Sequence, residues 1–368
     1  MAPLKMIHAF IFSFLSDAAA DKCITFGKNM LNEVDNCQSV SDLKTTPEVV
    51  DFKRQATWAT EVDSGLAVLI GDTVQIWRGG SDFTEISLGG FTSPVGAALL
   101  DGKLYVACFG SWPTPVGDSG LAVIDVAGQF LESTHSYSDS EMHVHNVYAF
   151  DFGGKKEIFA AILGNPWKGP LSGRGLSRLD RESGSFDLDT TTERLSVRSA
   201  KQQSDGSIFV LTQEPAGEQT KLARLEERNG HLVKEAETLL PPRSDGDGGA
   251  DVVLGVETNT LWVTDRGAWS GKLYHFQYND GQFTQNAERE TGANPRYAVV
   301  LDSGDIVVCN QNGNDLSLFK GLANSPTDAS ISEVRLAQGM DAPMFFMKTS
   351  ALGSQSNSDT AWWHHHEL

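Results

Sequence analysis

The sequence predicts an all-β chain folded as a seven-bladed β-propeller whose ring is closed between N- and C-terminal strands. Three observations lead there. A unit of strand, turn, strand and strand recurs at a spacing close to fifty residues, a period typical of propellers and solenoids. Each apolar run is short, rich in Val, Ile, Leu and aromatics, and bounded by Gly, Asp or Asn, which is strand and hairpin chemistry. No long stretch carries a helical period.

The units follow one another along the chain. The first fits between Val49 and Trp77, where "SGLAVLIGDTVQIW" supplies a hairpin. "SPVGAALLDGKLYVACFG" (Ser93 to Gly110) precedes "GLAVIDVAG", and "HVHNVYAFDFGGKKEIFAAILG" (His143 to Gly164) precedes "LSRLDRESG". "VRSAKQQSDGSIFVLTQE" runs into "KLARLEERNGHLV", and "GADVVLGVETNTLWVTDRG" (Gly249 to Gly267) into "KLYHFQYNDGQF". "NPRYAVVLDSGDIVVCNQNG" (Asn294 to Gly313) leads to "LSLFK", and "APMFFM" (Ala342 to Met347) stands alone. The lead-ins fall near Pro94, His145, Arg198, Ala250, Pro295 and Pro343. A last unit with one clear strand is expected to borrow its partners from the N-terminal part, which removes exposed edges. A β-sandwich pair would not repeat so regularly, and β-helix repeats are shorter.

The organisation expected is a signal peptide over 1–20, an N-terminal segment over 21–45, the propeller over 46–347 and a flexible tail over 348–368. Lys5, the apolar run Ala9 to Leu15 and the small residues Ala18 to Ala20 carry the signal-peptide reading; a helix packed on the domain is its alternative. Cys23 and Cys37 are spaced to close a small disulfide loop in an oxidising lumen. The ending His365 to Leu368, "HHEL", is close to the HDEL retrieval address. Together these place the chain in the secretory pathway, in the endoplasmic reticulum lumen or secreted, with a cytoplasmic location as the alternative. The chain has no N-x-[ST] acceptor. Cys108 and Cys309, each ending an apolar run, read as reduced core thiols.

With 368 residues, 40% hydrophobic content and a formal net charge of −19, the composition is that of a globular chain large enough for a sizeable core. The negative charge argues against nucleic-acid and anionic-membrane partners. No apolar run reaches the roughly 18 to 20 residues of a membrane-spanning helix. The composition leaves the oligomeric state undetermined.

In a propeller the innermost strands line a central channel, so Arg198, entering one strand, and Glu214, leaving the next, face the same end of the ring. On these residues the chain resembles the seven-bladed lactonase family, which includes propeller-type 6-phosphogluconolactonases and fungal 3-carboxy-cis,cis-muconate lactonizing enzymes. The matching stretches are His143-Val144-His145; Arg198 with Asp205-Gly206 and Glu214; Ala250-Asp251-Val252 with Asp265-Arg266-Gly267; and Pro295-Arg296-Tyr297 with Asn310-Gln311. The likeness spans roughly Val49 to Met347. It departs at Ala161-Ile162-Leu163-Gly164, where the family has Asp-Leu-Gly, and at Ser199-Ala200 after the arginine.

The resemblance implies a cofactor-independent, metal-free enzyme acting on a small-molecule lactone or carboxylic acid. His145, Glu214, Arg198 and Arg266 are the catalytic candidates, and His143, Arg296, Asn310 and Gln311 the substrate-binding ones. A guanidinium binds a carboxylate or a developing oxyanion in a planar fork. Glu214 could activate water or orient His145, and the imidazole of His145 could itself move a proton near neutral pH. Structural ion pairs of Arg198 with Glu214, and of Arg266 with Asp265, are the competing reading. Strand alternation puts both histidines of "HVH" on one face, an arrangement that would also suit a metal; with no third ligand at a recognisable spacing, no metal site is expected. The run His364 to His366 lies in the tail, and "GDGGAD" (Gly246 to Asp251) reads as a blade-connecting turn rather than a calcium loop. A non-catalytic propeller that binds a protein or small-molecule partner is the alternative of a different class.

Overall fold

A computed structural model of the chain describes residues 22–26, 31–34, 45–48, 56–62, 65–77, 83–111, 117–137, 142–163, 175–188, 195–213, 219–241, 248–336 and 345–349. Every described element is a strand. The first three are β1 (Lys22–Phe26), β2 (Leu31–Val34) and β3 (Thr45–Glu48).

Six antiparallel four-stranded sheets then follow in order. Blade I is β4 (Ala56–Val62), β5 (Gly65–Ile70), β6 (Thr73–Trp77) and β7 (Phe83–Ser87); blade II is β8 (Pro94–Leu100), β9 (Lys103–Cys108), β10 (Gly120–Asp125) and β11 (Phe130–Ser136). Blade III is β12 (His143–Phe152), β13 (Lys155–Leu163), β14 (Gly175–Leu179) and β15 (Phe186–Leu188); blade IV is β16 (Val197–Gln202), β17 (Ile208–Thr212), β18 (Lys221–Arg228) and β19 (His231–Leu239). Blade V is β20 (Gly248–Leu254), β21 (Thr260–Arg266), β22 (Gly271–Asn279) and β23 (Gln282–Thr291); blade VI is β24 (Pro295–Val300), β25 (Ile306–Asn310), β26 (Asp315–Phe319) and β27 (Val334–Leu336).

The architecture is thus an all-β propeller. The expectation of seven blades is corrected to six that are each built from four consecutive strands. The seventh lead-in yields a single strand, β28 (Phe345–Thr349), which pairs antiparallel with β1 from Phe345↔Phe26 to Thr349↔Lys22. The resulting sheet, β28-β1-β2-β3, draws on both ends of the sequence and touches blades VI and I through β28.

Local chemistry sets the hairpins. Asp101-Gly102, Asn229-Gly230 and Asp280-Gly281 all adopt positive φ (53° and 73°, 57° and 85°, 49° and 81°). This is the two-residue turn whose twist suits right-handed strand pairs. Burial falls from the centre outward: β21 is buried along its length, whereas β11 alternates between exposed and half-buried. The core is divided into wedges between neighbouring blades. Leu69, Val74, Ile76, Leu104, Val106 and Ile124 fill the wedge between I and II. Trp262, Leu273, Ala298, Ile306, Val308 and Phe319 fill the one between V and VI. Cys108 and Cys309 are buried thiols outside any disulfide, as expected of core residues, and burial pushes the Cys108 thiol up. No helix among the described residues is long and apolar enough to cross a membrane. Cys37, the tail histidines and residues 1–20 lie outside the described residues, as do the side chains of β1.

Candidate functional site

Each innermost strand carries one extra residue that its neighbour does not match. The register slips at Thr57 in β4, Val95 in β8, His145 in β12, Arg198 in β16, Ala250 in β20 and Arg296 in β24. A β-bulge bends the strand and re-aims the unmatched side chain. Repeated around the ring, it turns all six of these residues toward one cavity of about 770 Å³. Strand ends complete the lining: Phe109 follows β9, Gln213 follows β17 and Arg266 closes β21.

Three guanidines and an imidazole meet there. Arg198 is 7% exposed, donates from Nε to the Ala250 carbonyl at 3.2 Å, and donates from Nη1 to Gln213 Oε1. Arg296 donates from Nε to Gln311 Oε1 at 2.6 Å. Arg266 is 5% exposed. The Nδ1 atom of His145 is buried without a hydrogen-bond partner among the described residues, and the Arg198 backbone lies close enough to favour the protonated ring. Burial, then the positive charges of Arg198, Arg296 and Arg266, hold the His145 imidazolium well below its ordinary pKa. The ring is neutral at pH 7.

Residues just past the bulges in blades III to VI form a second tier. Asp251 Oδ1 accepts the Ser199 hydroxyl at 2.7 Å and its Oδ2 accepts the Ala298 amide at 3.3 Å, so one carboxyl links blades IV, V and VI. Burial raises its pKa, with Lys201, Ser199 and the Ala298 amide acting in the opposite direction. Tyr148 accepts the Ala200 amide at 3.0 Å and donates to the Arg198 carbonyl at 3.4 Å; burial pushes its phenol up, and that of Tyr297 likewise. Lys201 Nζ lies 6.0 Å from the centre of the Tyr297 ring.

Of the residues singled out by sequence, His145, Arg198, Arg266 and Arg296 line the cavity. His143 does not. The bulge at His145 breaks the alternation that would have kept "HVH" on one face. His143 is fully buried instead, stacked on Phe109 at 4.0 Å with Nδ1 donating to the Phe109 carbonyl at 2.8 Å. Asn310 is buried too, its amide donating to Asp315 and to Ser317, both at 2.7 Å. Gln311 acts on Arg296. Glu214 lies outside the described residues.

The turn expected over Gly246 to Asp251 is corrected for its second half: residues from Gly248 onward form β20, because Asp251 has partners on both flanking blades. Among the described residues, no cluster of three or more His, Cys, Asp and Glu side chains could hold a metal ion. Gln213, Asp251 and Tyr148 were not assigned from sequence as site residues. The signal available was a polar residue placed next to, or one strand from, an arginine on an innermost strand.

No family model matches the chain, and no curated protein matches it by sequence. Solved structures do share its fold. A periplasmic gluconolactonase of Pseudomonas aeruginosa superposes with a TM-score of 0.66 at 16% identity, over 90% of this chain and 99% of that one. A protein from Lactobacillus plantarum gives 0.65 at 15% identity, over 89% and 99%. A candidate 6-phosphogluconolactonase from Bacteroides fragilis gives 0.62 at 12% identity, over 91% and 99%. At these identities the likeness is one of fold.

Proposed function

We propose that the protein is a cofactor-independent lactonase that hydrolyses a small-molecule lactone in the central cavity. The related lactonizing reaction on an unsaturated acid calls on the same groups. The observation that carries this reading is the convergence of Arg198, Arg266, Arg296 and a neutral His145 in one cavity. Lactone opening places negative charge on the carbonyl oxygen, and guanidines set in a half-buried site favour that charge.

In hydrolysis, water adds to the carbonyl carbon while His145 or Glu214 takes its proton. Arg198 and Arg266 hold the oxyanion. Collapse re-forms the carbonyl and breaks the bond to the ring oxygen, which leaves as a hydroxyl by taking up the proton that His145 or Glu214 accepted from water. Arg296, oriented by Gln311, binds a substrate carboxylate. In the lactonizing direction the arginines hold that carboxylate while one of its oxygens adds to the double bond, and the protonated form of His145 or Glu214 gives its proton to the neighbouring carbon, which develops negative charge.

Two of the proteins that share this fold, a gluconolactonase and a candidate 6-phosphogluconolactonase, agree with the reaction class. The reading also takes the sheet β28-β1-β2-β3 as a seventh, composite blade that closes the ring, and places the protein in the secretory pathway. The test is a pH-stat assay on a panel of small lactones and muconate-type acids, with Glu214→Gln compared on any hit. Turnover of at least one lactone is expected. No turnover across the panel by folded protein overturns the reading.

A further inference from the structure

The cavity is two-sided, and the second side has no role in the chemistry above. Blades IV, V and VI supply Arg198, Lys201, Arg266 and Arg296. Blades I and II, which lie across the ring from IV and V, supply Trp58, Val95, Ala97, Ala98 and Phe109. Thr57 adds a hydroxyl on that wall, but it is engaged by the Pro94 carbonyl at 2.5 Å. Trp58 sets its ring edge-on to Tyr297 at 5.6 Å, which extends the apolar wall toward blade VI.

Gly96 fixes how close the wall stands to blade III. A Cβ at this position would meet Asn146 Oδ1 at 2.0 Å, and that oxygen also accepts the Val147 amide at 2.8 Å.

A sugar lactone is ringed by hydroxyls, and each one pressed against Val95 or Ala97 would lose water without gaining a partner. A hydrocarbon group placed there gains from burial instead.

We propose that the cavity selects a lactone bearing an alkyl or aryl substituent, seated on the wall of Trp58, Val95, Ala97 and Phe109, over a polyhydroxylated sugar lactone. This rests on the lactonase reading and names its substrate class. The substituent lies toward blades I and II, which directs the lactone carbonyl to the guanidines of blades IV and V.

The experiment measures kcat/KM for glucono-1,5-lactone and for γ-butyrolactone carboxylates substituted with hydrogen, methyl, propyl or phenyl. Calorimetric binding of the corresponding open hydroxy acids runs in parallel. The value of kcat/KM is expected to rise about fourfold per methylene, the factor that burial of one such group supplies, and the phenyl compound is expected to exceed the sugar lactone by a hundredfold or more. Val95→Thr, nearly isosteric, is expected to reduce the phenyl-to-hydrogen ratio while melting with the wild type. Comparable rates on the sugar lactone, or no dependence on the substituent, overturn the proposal and leave the lactonase reading standing. Tighter binding of the phenyl hydroxy acid without turnover of any lactone supports the apolar wall and removes the lactonase reading. Equal binding of all the hydroxy acids overturns the wall itself.

Discussion

The Ser199 hydroxyl donates to Asp251 Oδ1 at 2.7 Å across the boundary between blades IV and V. The other oxygen of the same carboxyl takes the Ala298 amide of blade VI. Ser199 follows the bulge at Arg198 and Ala298 lies two residues after the bulge at Arg296, so Asp251 ties the two bulged segments together. Replacing it with Ala leaves a buried hydroxyl and a buried amide without their acceptor, at a cost of about 1–3 kcal/mol for each group left unsatisfied. Asp251→Asn, which keeps an acceptor oxygen, is expected to lose less. Thermal or urea unfolding of the two variants checks this, and equal losses would argue against the bonding role.

A histidine outside the cavity lining contributes to the pH dependence of stability. His275 is buried beside Trp262 with ring centres 4.6 Å apart, and burial lowers its pKa from 6.5 to about 4. Between those values the unfolded chain takes up a proton that the folded chain refuses. Stability from this group is therefore complete above about pH 6.5 and falls as pH drops toward about 4. His275→Phe is expected to narrow the loss of melting temperature between pH 7 and pH 4.5 relative to wild type.

Activity should follow a related rule. Because the arginines and burial depress the His145 pKa, the acid limb of kcat/KM governed by this imidazole is expected below the ordinary range near 6.5. Arg296→Met removes one of the three cationic neighbours and is expected to shift that limb upward. A limb that stays in place in this variant would assign it to another group, with Glu214 the next candidate.

Arg224 joins blades IV and V away from the channel. Its side chain is 9% exposed, is paired with Glu235, Glu226 at 2.5 Å and Asp205 at 3.2 Å, and lies 4.7 Å over the Tyr278 ring. Arg224→Met keeps most of the packing on the ring but leaves three partly exposed carboxylates close together. A loss of about 1–3 kcal/mol is expected by chemical denaturation, with no change in ligand binding.

Much of this fold could be read in the chain because its periodicity is carried by short-range chemistry. Asp101-Gly102, Asn229-Gly230 and Asp280-Gly281 dictate tight hairpins wherever they occur, and the apolar runs between them have room only for strands. The blade count was less legible, since β28 contributes one strand and its partners lie at the other end of the sequence. At the site, His145, Arg198, Arg266 and Arg296 stood out as charged or titratable residues at the ends of inner strands. The bulges were invisible. An extra residue in an inner strand leaves no mark in composition, yet it sends His145 into the cavity and His143 onto Phe109. Asp251 was hidden for another reason: its glycine-rich neighbours read as a turn, and its partners Ser199 and Ala298 are each about fifty residues away.

The central claim is that the guanidines around His145 stabilise charge during turnover. The most direct test is kcat/KM of Arg266→Met against wild type on the best lactone of the panel, with unfolding curves for both. The account predicts a fall of roughly 10²- to 10³-fold, the range seen when one oxyanion donor is lost, with stability retained. Unchanged kcat/KM in a folded Arg266→Met protein would contradict it.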